Sequence, residues 1–122
     1  MKIGISSTGN DLNANVDQRF GRCNYFLIVE TNSMEFEVLS NENAMASGGA
    51  GIQSAQTIAR AGVEAIITGN VGPNAFQTLS AAGIKIFIGV SGTINESIEK
   101  YKKGELKETE APSVDSHFGM NR

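Results

Sequence analysis

The chain has 122 residues, of which 40% are hydrophobic, and a formal net charge of −3 at pH 7. This length predicts one domain with a sizeable core, and the acidic balance argues against a nucleic-acid partner, because such proteins usually carry a basic excess. No apolar run approaches the roughly 20 residues that span a bilayer, and the first residues lack the features of a signal peptide, so we expect a cytoplasmic protein with no membrane association.

The first half of the chain predicts three strands. Lys2–Ser6 is a short apolar strand, and a polar, turn-rich loop follows it. Tyr25–Glu30 is a strongly β-prone run, and Phe36–Ser40 is the returning strand after the turn at residues 31–33. These two strands predict an antiparallel hairpin. We expect a monomer or a weak homodimer, since Phe36–Ser40 should lie at an edge of the sheet, where strands can pair between subunits.

The second half alternates helix and strand. Apolar residues recur at helical spacing in three segments, each of which ends at a glycine. Pro73 suits the first position of the second helix, and a capping box formed by Thr93 and Glu96 begins the third. The predicted segments are a helix from Ala50 to Gly62, a strand over Ala65–Thr68, a helix from Pro73 to Gly83, a strand over Ile84–Val90 and a helix from Thr93 to Gly104.

The order β, β–β hairpin, α, β, α, β, α predicts an α/β domain with a mixed five-stranded sheet and helices on its faces. A single domain is expected to cover residues 1–104. Residues 105–122 are rich in charge, contain Pro112 and carry few large apolar side chains, so they predict a flexible C-terminal tail.

Two glycine-rich junctions, residues 48–51 and 69–74, each precede a predicted helix. Glycines let a ligand approach the backbone closely, and a helix N-terminus offers unpaired N–H groups with a partial positive charge. Because ligands bind beyond the carboxyl ends of parallel strands, we expect both junctions at one edge of the sheet, around a pocket for an anion. The alternative is that these loops only need glycine conformations. The candidate binding residues are Gly48, Gly49, Gly51, Gly69, Asn70, Gly72 and Asn74.

The segment Asp17–Cys23 combines two arginines, a carboxylate and the single cysteine. Arg19 and Arg22 suit a multiply charged anion. Cys23 follows both arginines, and a lowered thiol pKa there would favour metal ligation; the alternative is a surface loop with a half-buried Cys23. One cysteine excludes an internal disulfide and a four-thiolate metal site.

The single histidine, His117, lies within residues 115–119, Asp-Ser-His-Phe-Gly, which repeat the pattern Asp-Gln-Arg-Phe-Gly of residues 17–21. The repeat indicates a second candidate metal ligand, because the tail would carry an imidazole suited to iron or zinc to the same edge of the sheet. The alternative is a chance match of a short pattern.

No catalytic constellation accompanies these residues. The chain has no nucleophile–base pair and no Gly-x-Ser-x-Gly elbow. Ribonuclease-H-like nucleases also use a mixed sheet with a hairpin, but they need clustered carboxylates on strands to hold two metal ions, and neither Lys2–Ser6 nor Ala65–Thr68 carries a carboxylate. Residues 49–54 nearly match a dinucleotide fingerprint, yet Ser54 replaces its third glycine and no strand is predicted before it. We therefore expect a binding protein rather than an enzyme.

Three motifs, Phe20–Arg22 entering a strand, Gly48–Gln53 and Gly69–Ala75, resemble the dinitrogenase iron–molybdenum cofactor biosynthesis domain, and the resemblance spans about residues 1–110. The family implies a ribonuclease-H-like three-layer fold, and its nitrogenase members bind or carry iron–sulfur-based cofactor precursors rather than catalyse a reaction by themselves. Members associated with nitrogenase often carry a histidine where this chain has Arg19. The arginine would bind an anionic cluster electrostatically.

The resemblance implies a small carrier for an iron–sulfur or iron–molybdenum-type cluster or its precursor, with cluster-biosynthesis proteins as partners. In this hypothesis the glycine-rich junctions and both arginines hold the cluster as cargo, and Cys23 or His117 supplies a metal ligand. Two alternatives are a binding or regulatory module for a phosphorylated or carboxylate metabolite, and a metal-dependent hydrolase. Replacement of Cys23 by serine separates the carrier from the metabolite-binding module, because only cluster ligation needs the thiol.

Overall fold

A mixed five-stranded sheet lies at the centre of the computed structural model, which describes residues 1–41 and 49–113. The strands are β1 (Lys2–Ser7), β2 (Tyr25–Glu30), β3 (Phe36–Ser40), β4 (Ala65–Ile67) and β5 (Lys85–Phe87). Their order across the sheet is β3-β2-β1-β4-β5. The β1–β2 and β2–β3 pairs are antiparallel, whereas β1–β4 and β4–β5 are parallel, so the predicted hairpin is confirmed.

In the described part of the chain, three helices cover the two faces of this sheet: α1 (Ala50–Arg60), α2 (Pro73–Ala81) and α3 (Ile94–Lys102). Ile58 of α1 and Leu79 of α2 are buried in the core on one face. Ile98 of α3 is buried in the core on the other face. The α/β class and the three-layer architecture are therefore confirmed. Within residues 1–41 and 49–113, no helix combines the length and apolar character needed to cross a membrane.

The central strands are apolar on both sides because both of their faces are covered. Phe26 and Ile28 of β2 pack towards α1 and α2, and the alternating residues Leu27 and Val29 pack towards α3. β3 lies at the edge of the sheet, and its Phe36 and Val38 are 40% and 37% exposed. The position of β3 agrees with the expected edge strand.

The last two strands are shorter than predicted. β4 ends at Ile67, one residue before the predicted end, and β5 covers Lys85–Phe87 rather than Ile84–Val90. The chain turns away from the ladder because Gly89 has a φ of 71°, a left-handed conformation. Gly89 N nevertheless donates to Gly69 O at 2.8 Å, so the loop after β5 stays beside the loop after β4.

The predicted flexible tail, residues 105–122, begins with a stretch that is hydrogen-bonded to the domain. Thr109 N donates to Ile86 O at 2.8 Å, and the Leu106 side chain packs against the core beneath α3. Ser113 N donates to Val71 O at 3.0 Å. The described part of the tail therefore follows β5 and reaches the loop after β4, while residues 114–122 lie outside the described residues.

Candidate functional site

Two chain segments meet beyond the carboxyl ends of β1 and β4, at what we call the carboxyl edge. We name residues 17–23, which lead into β2, the arginine loop, and residues 69–72, which lead into α2, the asparagine turn. Phe20 N donates to Asn70 O at 3.2 Å, and Asn70 Nδ2 donates to Gln18 O at 3.2 Å. Backbone and side-chain hydrogen bonds therefore join the two segments directly.

Helices α1 and α2 begin side by side at this carboxyl edge. A Cβ placed on Gly51, in the first turn of α1, would lie 3.4 Å from the Cβ of Ala75 in the first turn of α2. A Cβ placed on Gly21 would lie 3.0 Å from the N and Cα atoms of Gly51. The described parts of both glycine-rich junctions and the arginine loop consequently lie on the same side of the molecule.

The first turns of α1 and α2 carry no compensating negative charge. Their N-cap residues are Gly49 and Gly72, neither of which provides a side-chain hydrogen bond, and neither first turn contains an acidic residue. The first N–H groups of a helix have no partner within the helix and carry a partial positive charge. These two helix ends therefore present positive dipole ends to the carboxyl edge.

Buried groups hold the arginine loop in place. Asp17 N donates to Ser6 O at 2.8 Å, and Ser6 Oγ donates to Asp17 O at 2.7 Å. Ser6 Oγ also lies 2.7 Å from Thr68 Oγ1, at the end of β4. Phe20 is 2% exposed, with its ring centroid 5.2 Å from that of Phe26, and burial of such a side chain contributes about 2–3 kcal/mol. The loop is thus anchored to the core on both sides of Arg19.

The predicted polar ligands differ in exposure. The Arg19 side chain is 49% exposed, and its Nε lies 3.8 Å from Asp17 Oδ1, which also accepts Arg19 N–H at 2.9 Å. The Asp17 side chain is only 10% exposed, but because the guanidinium is half exposed and the separation is long, the pair contributes about 1 kcal/mol or less and competes weakly with a ligand. Arg22 and Asn70 are half-buried, and Asn74 is exposed in the first turn of α2.

The glycines of the two junctions have local structural roles. Gly49 has a φ of 71°, in the left-handed region that favours glycine. A Cβ on Gly69 would lie 2.6 Å from the Cα of Gln18, so a side chain there would separate the asparagine turn from the arginine loop. Gly72 has an ordinary extended conformation, and Gly48 lies outside the described residues. Conformation and close packing explain Gly49 and Gly69 whether or not a ligand binds.

Cys23 lies in the core rather than at the surface of the carboxyl edge. Its side chain is 0% exposed, its Sγ donates to Phe20 O at 3.2 Å, and Asn41 Nδ2 lies 3.8 Å from Sγ. Burial raises the pKa of the Cys23 thiol, and the negative charge of Asp17 raises it further. The expectation of a lowered thiol pKa is therefore wrong, because burial desolvates the thiolate. Ligation of a metal by Cys23 stays a prediction.

The second predicted metal ligand, His117, lies outside the described residues. Among residues 1–41 and 49–113, His, Cys, Asp and Glu side chains form no group of three that could hold a metal ion. Guanidinium, amide and backbone N–H groups meet at the carboxyl edge, and they donate hydrogen bonds and suit an anion better than a bare metal cation. The Asp17 carboxylate lies beside them and accepts the Arg19 backbone N–H.

Sequence reasoning misses the buried polar residues behind the arginine loop. Ser6 and Thr68 are polar residues at the ends of apolar strands, which is a recognisable signal for a site at those ends. Asn41 follows β3, and Ser54 lies in α1, where both are buried. Nothing in their local sequence distinguishes them from residues in a polar loop and on a helix surface.

Comparison with known proteins agrees with this architecture. The family model described as dinitrogenase iron-molybdenum cofactor matches residues 1–104. The chain belongs to this family. The resemblance inferred from the sequence motifs is thereby confirmed.

Three similar proteins cover nearly all of this family member. The apo form of the orange protein from Desulfovibrio gigas is 35% identical with a TM-score of 0.90, over 93% of this chain and 96% of that one. A NifB-like protein from Thermotoga is 40% identical with a TM-score of 0.80, over 93% and 97% of the two chains. An uncharacterized protein of Methanocaldococcus jannaschii is 34% identical over 113 residues, which cover 90% of this chain and 92% of the relative.

Proposed function

We propose that this protein carries an anionic metal cluster of the iron–sulfur or iron–molybdenum type, or a precursor of such a cluster. The observation that carries the proposal is the meeting of two helix N-termini without acidic first turns and the arginine loop at one carboxyl edge. Membership of the dinitrogenase iron–molybdenum cofactor family, and likeness to the orange protein and a NifB-like protein, favour a cluster over an unrelated anion.

The cluster would be held mainly by charge and by hydrogen bonds. N–H groups at the starts of α1 and α2 would donate to its outer atoms, and the two helix dipoles would compensate part of its negative charge. Arg19, which is exposed and weakly paired, would approach from the arginine loop, while Asn74 would contribute an amide from α2. Contacts of this kind are reversible, which suits delivery of the cluster to a biosynthetic partner.

The same groups favour binding over catalysis. General acid–base chemistry needs a group that exchanges a proton near neutral pH, but burial raises the pKa of the Cys23 thiol behind this edge. We therefore propose a carrier that does not transform its cargo.

Anaerobic reconstitution with ferrous iron and sulfide tests the proposal, and a second reconstitution adds molybdate. After gel filtration, the wild-type chain is expected to retain iron and sulfide and to absorb visible light. Arg19→Ala is expected to retain less of both. Arg60→Ala, which removes one positive charge from the last turn of α1, is the matched control and should retain the wild-type amount. Colourless wild-type protein without iron in either reconstitution would contradict the carrier function.

Binding of a phosphorylated or carboxylate metabolite is the second candidate function. The burial of Cys23 favours it, because backbone N–H groups and arginines would hold such a ligand without the thiol. Failure to retain iron, combined with binding of inorganic phosphate that Arg19→Ala weakens, would replace the first candidate by the second. Folded Cys23→Ser protein that loses the iron retained by the wild type would instead indicate that the thiol ligates the cluster.

A further inference from the structure

A buried polar network lies directly behind the arginine loop and joins it to α1. Asn41, immediately after β3, is 8% exposed, and its Nδ2 donates to Cys23 O at 2.9 Å and to Gly21 O at 3.3 Å. Its Oδ1 accepts a hydrogen bond from Ser54 Oγ at 3.1 Å, and Ser54 is 0% exposed. One amide side chain therefore connects the end of β3, the arginine loop and the first half of α1.

On the side that faces the core, the network contacts both the arginine loop and the N-terminal part of α1. The two carbonyl groups that Asn41 holds belong to the residues on either side of Arg22. Ser54 lies three positions after Gly51, whose backbone is in contact with Gly21. A shift of this amide would therefore change the position of the arginine loop relative to the N-terminus of α1.

The Asn41 amide is itself fixed in place. Asn41 N donates to Asn24 O at 2.9 Å, which extends the pairing between β2 and β3 by one residue. Both polar atoms of the side chain have protein partners, and a satisfied polar network in a low-dielectric interior specifies one geometry. The position of the arginine loop is thus fixed relative to the paired strands β2 and β3.

We infer that Asn41 and Ser54 are positioning residues for anion binding, which hold the arginine loop against the N-terminus of α1 without touching the ligand. The inference rests on the proposed function of the carboxyl edge as an anion site, whichever anion is the cargo. A merely structural role would lower stability alone, whereas a positioning role weakens binding in variants that remain folded.

Ser54→Ala and Ser97→Ala form a matched pair. Ser97 is also 0% exposed within a helix, but its hydroxyl donates to Ile94 O at 2.7 Å on the opposite face of the sheet. Phosphate binding is measured by titration at a temperature well below the lower Tm of the two variants. The Kd of Ser54→Ala is expected to be about tenfold higher than that of wild type, which is equivalent to roughly one weakened charge-assisted hydrogen bond. The Kd of Ser97→Ala is expected to stay within about twofold of wild type, although both variants should lose Tm.

Asn41→Ala provides a stronger perturbation, because it removes both the donor to the carbonyl groups of Gly21 and Cys23 and the acceptor for Ser54 without adding a charge. It should weaken binding more than Ser54→Ala, and the Ser54→Ala pair decides the question if Asn41→Ala does not fold. Iron retention after reconstitution is the second readout and should follow the same order.

Two outcomes separate this inference from the function on which it rests. If Ser54→Ala binds phosphate and retains iron as well as Ser97→Ala does, the positioning role alone is overturned. Wild-type protein that binds neither phosphate nor iron would overturn the anion site, and the positioning role with it.

Discussion

The N-termini of α1 and α2 differ from that of α3 in how their N–H groups are satisfied. In α3, Thr93 Oγ1 accepts from Glu96 N at 3.1 Å, and Glu96 Oε1 accepts from Thr93 N at 2.8 Å. In α1 and α2, the caps are Gly49 and Gly72, and neither first turn contains a carboxylate. The start of α3 is therefore satisfied within the protein, since Ile94 N and Asn95 N also donate to Ala14 O at 2.9 Å and Leu12 O at 3.0 Å, whereas α1 and α2 have no side-chain cap.

Local stability and anion binding therefore favour different residues at the start of a helix. A side-chain cap contributes about 0.5–2 kcal/mol, but a carboxylate in the first turn occupies the positive dipole end that an anion would use. The two helices without such a cap are the two that begin beside the arginine loop. Departures from local rules of this kind commonly mark functional sites.

Gly69→Ala should have the largest effect, because it separates the asparagine turn from the arginine loop. The new Cβ would lie 2.6 Å from the Cα of Gln18, and overpacking of this kind costs about 1–3 kcal/mol or more. Gly83→Ala is the control, since its φ is 77° but no heavy atom lies within 4 Å of the added Cβ; the left-handed conformation alone costs about 1–2 kcal/mol. Urea unfolding measures both, and a smaller loss for Gly69→Ala than for Gly83→Ala would contradict the steric explanation.

Thr93→Ala removes the side-chain cap of α3. Loss of the side-chain cap should lower the free energy of unfolding by about 1 kcal/mol and leave phosphate binding and iron retention unchanged. Denaturant titration and the reconstitution described above measure the two effects. Weaker anion binding in this variant would show that the start of α3 contributes to the site.

The capping carboxylate also predicts a pH dependence. Hydrogen bonds from the Thr93 backbone N–H and hydroxyl hold the pKa of Glu96 below its ordinary value of 4.5. A lowered pKa in the folded state stabilises the fold above the ordinary value, and this contribution is lost as the pH falls through the folded-state pKa. Wild type should therefore be more stable than Glu96→Gln at neutral pH, and thermal unfolding in acid should show the difference diminishing. A constant difference across this range would argue against the capping carboxylate as its cause.

Asn74→Asp would give α2 the first-turn carboxylate that it lacks. The fold should gain about 0.3–1 kcal/mol from the interaction with the helix dipole, while anion affinity should fall because the new charge repels the ligand. Asn95→Asp makes the same change at the second residue of α3 and should leave binding unchanged. Phosphate titration and thermal unfolding test the pair, and equal binding by both variants would remove the start of α2 from the site.

Ser113→Ala should have the smallest effect. It removes the hydroxyl that accepts Val71 N–H at 2.9 Å, on the outer side of the asparagine turn. Because this contact is partly exposed, the expected loss of stability is about 0.5 kcal/mol, with faster hydrogen exchange at the Val71 amide. Ser80→Ala, at an exposed position on α2, is the control. Unchanged exchange at Val71 would show that the tail does not protect this turn.

Much of the fold follows from local sequence patterns. The β2–β3 hairpin, the order of the elements and the starts of α2 and α3 agree with the predictions, since Pro73 and the Thr93–Glu96 capping box act within a single turn of helix. The end of β5 differs, because it depends on pairing with segments distant in sequence. Thr109 and Ser113 form backbone hydrogen bonds with β5 and the asparagine turn, which the charged composition of this stretch does not reveal, and the flexibility of the tail stays a prediction.

The candidate site was likewise predictable only in part. Motifs identified the arginine loop and the asparagine turn as points of interest, and the structure places them against each other. The predicted environment of Cys23 was wrong, because its neighbours in the folded chain are Phe20, Phe26 and the Asn41 amide rather than solvent and arginine charge. Burial of Cys23 depends on how the arginine loop packs against the core, which a single cysteine next to polar residues does not reveal.

The sequence by itself determined the α/β class, the helix starts and the family, because periodicity, glycine and proline conformations and capping hydrogen bonds operate between residues a few positions apart. Only the tertiary structure decided that Cys23 is a buried thiol, that Gly51 and Gly69 lie where chain segments touch, and that Asn41 holds the arginine loop. Those properties arise from contacts between segments brought together by the packing of the sheet and its helices, and such contacts have no local signature.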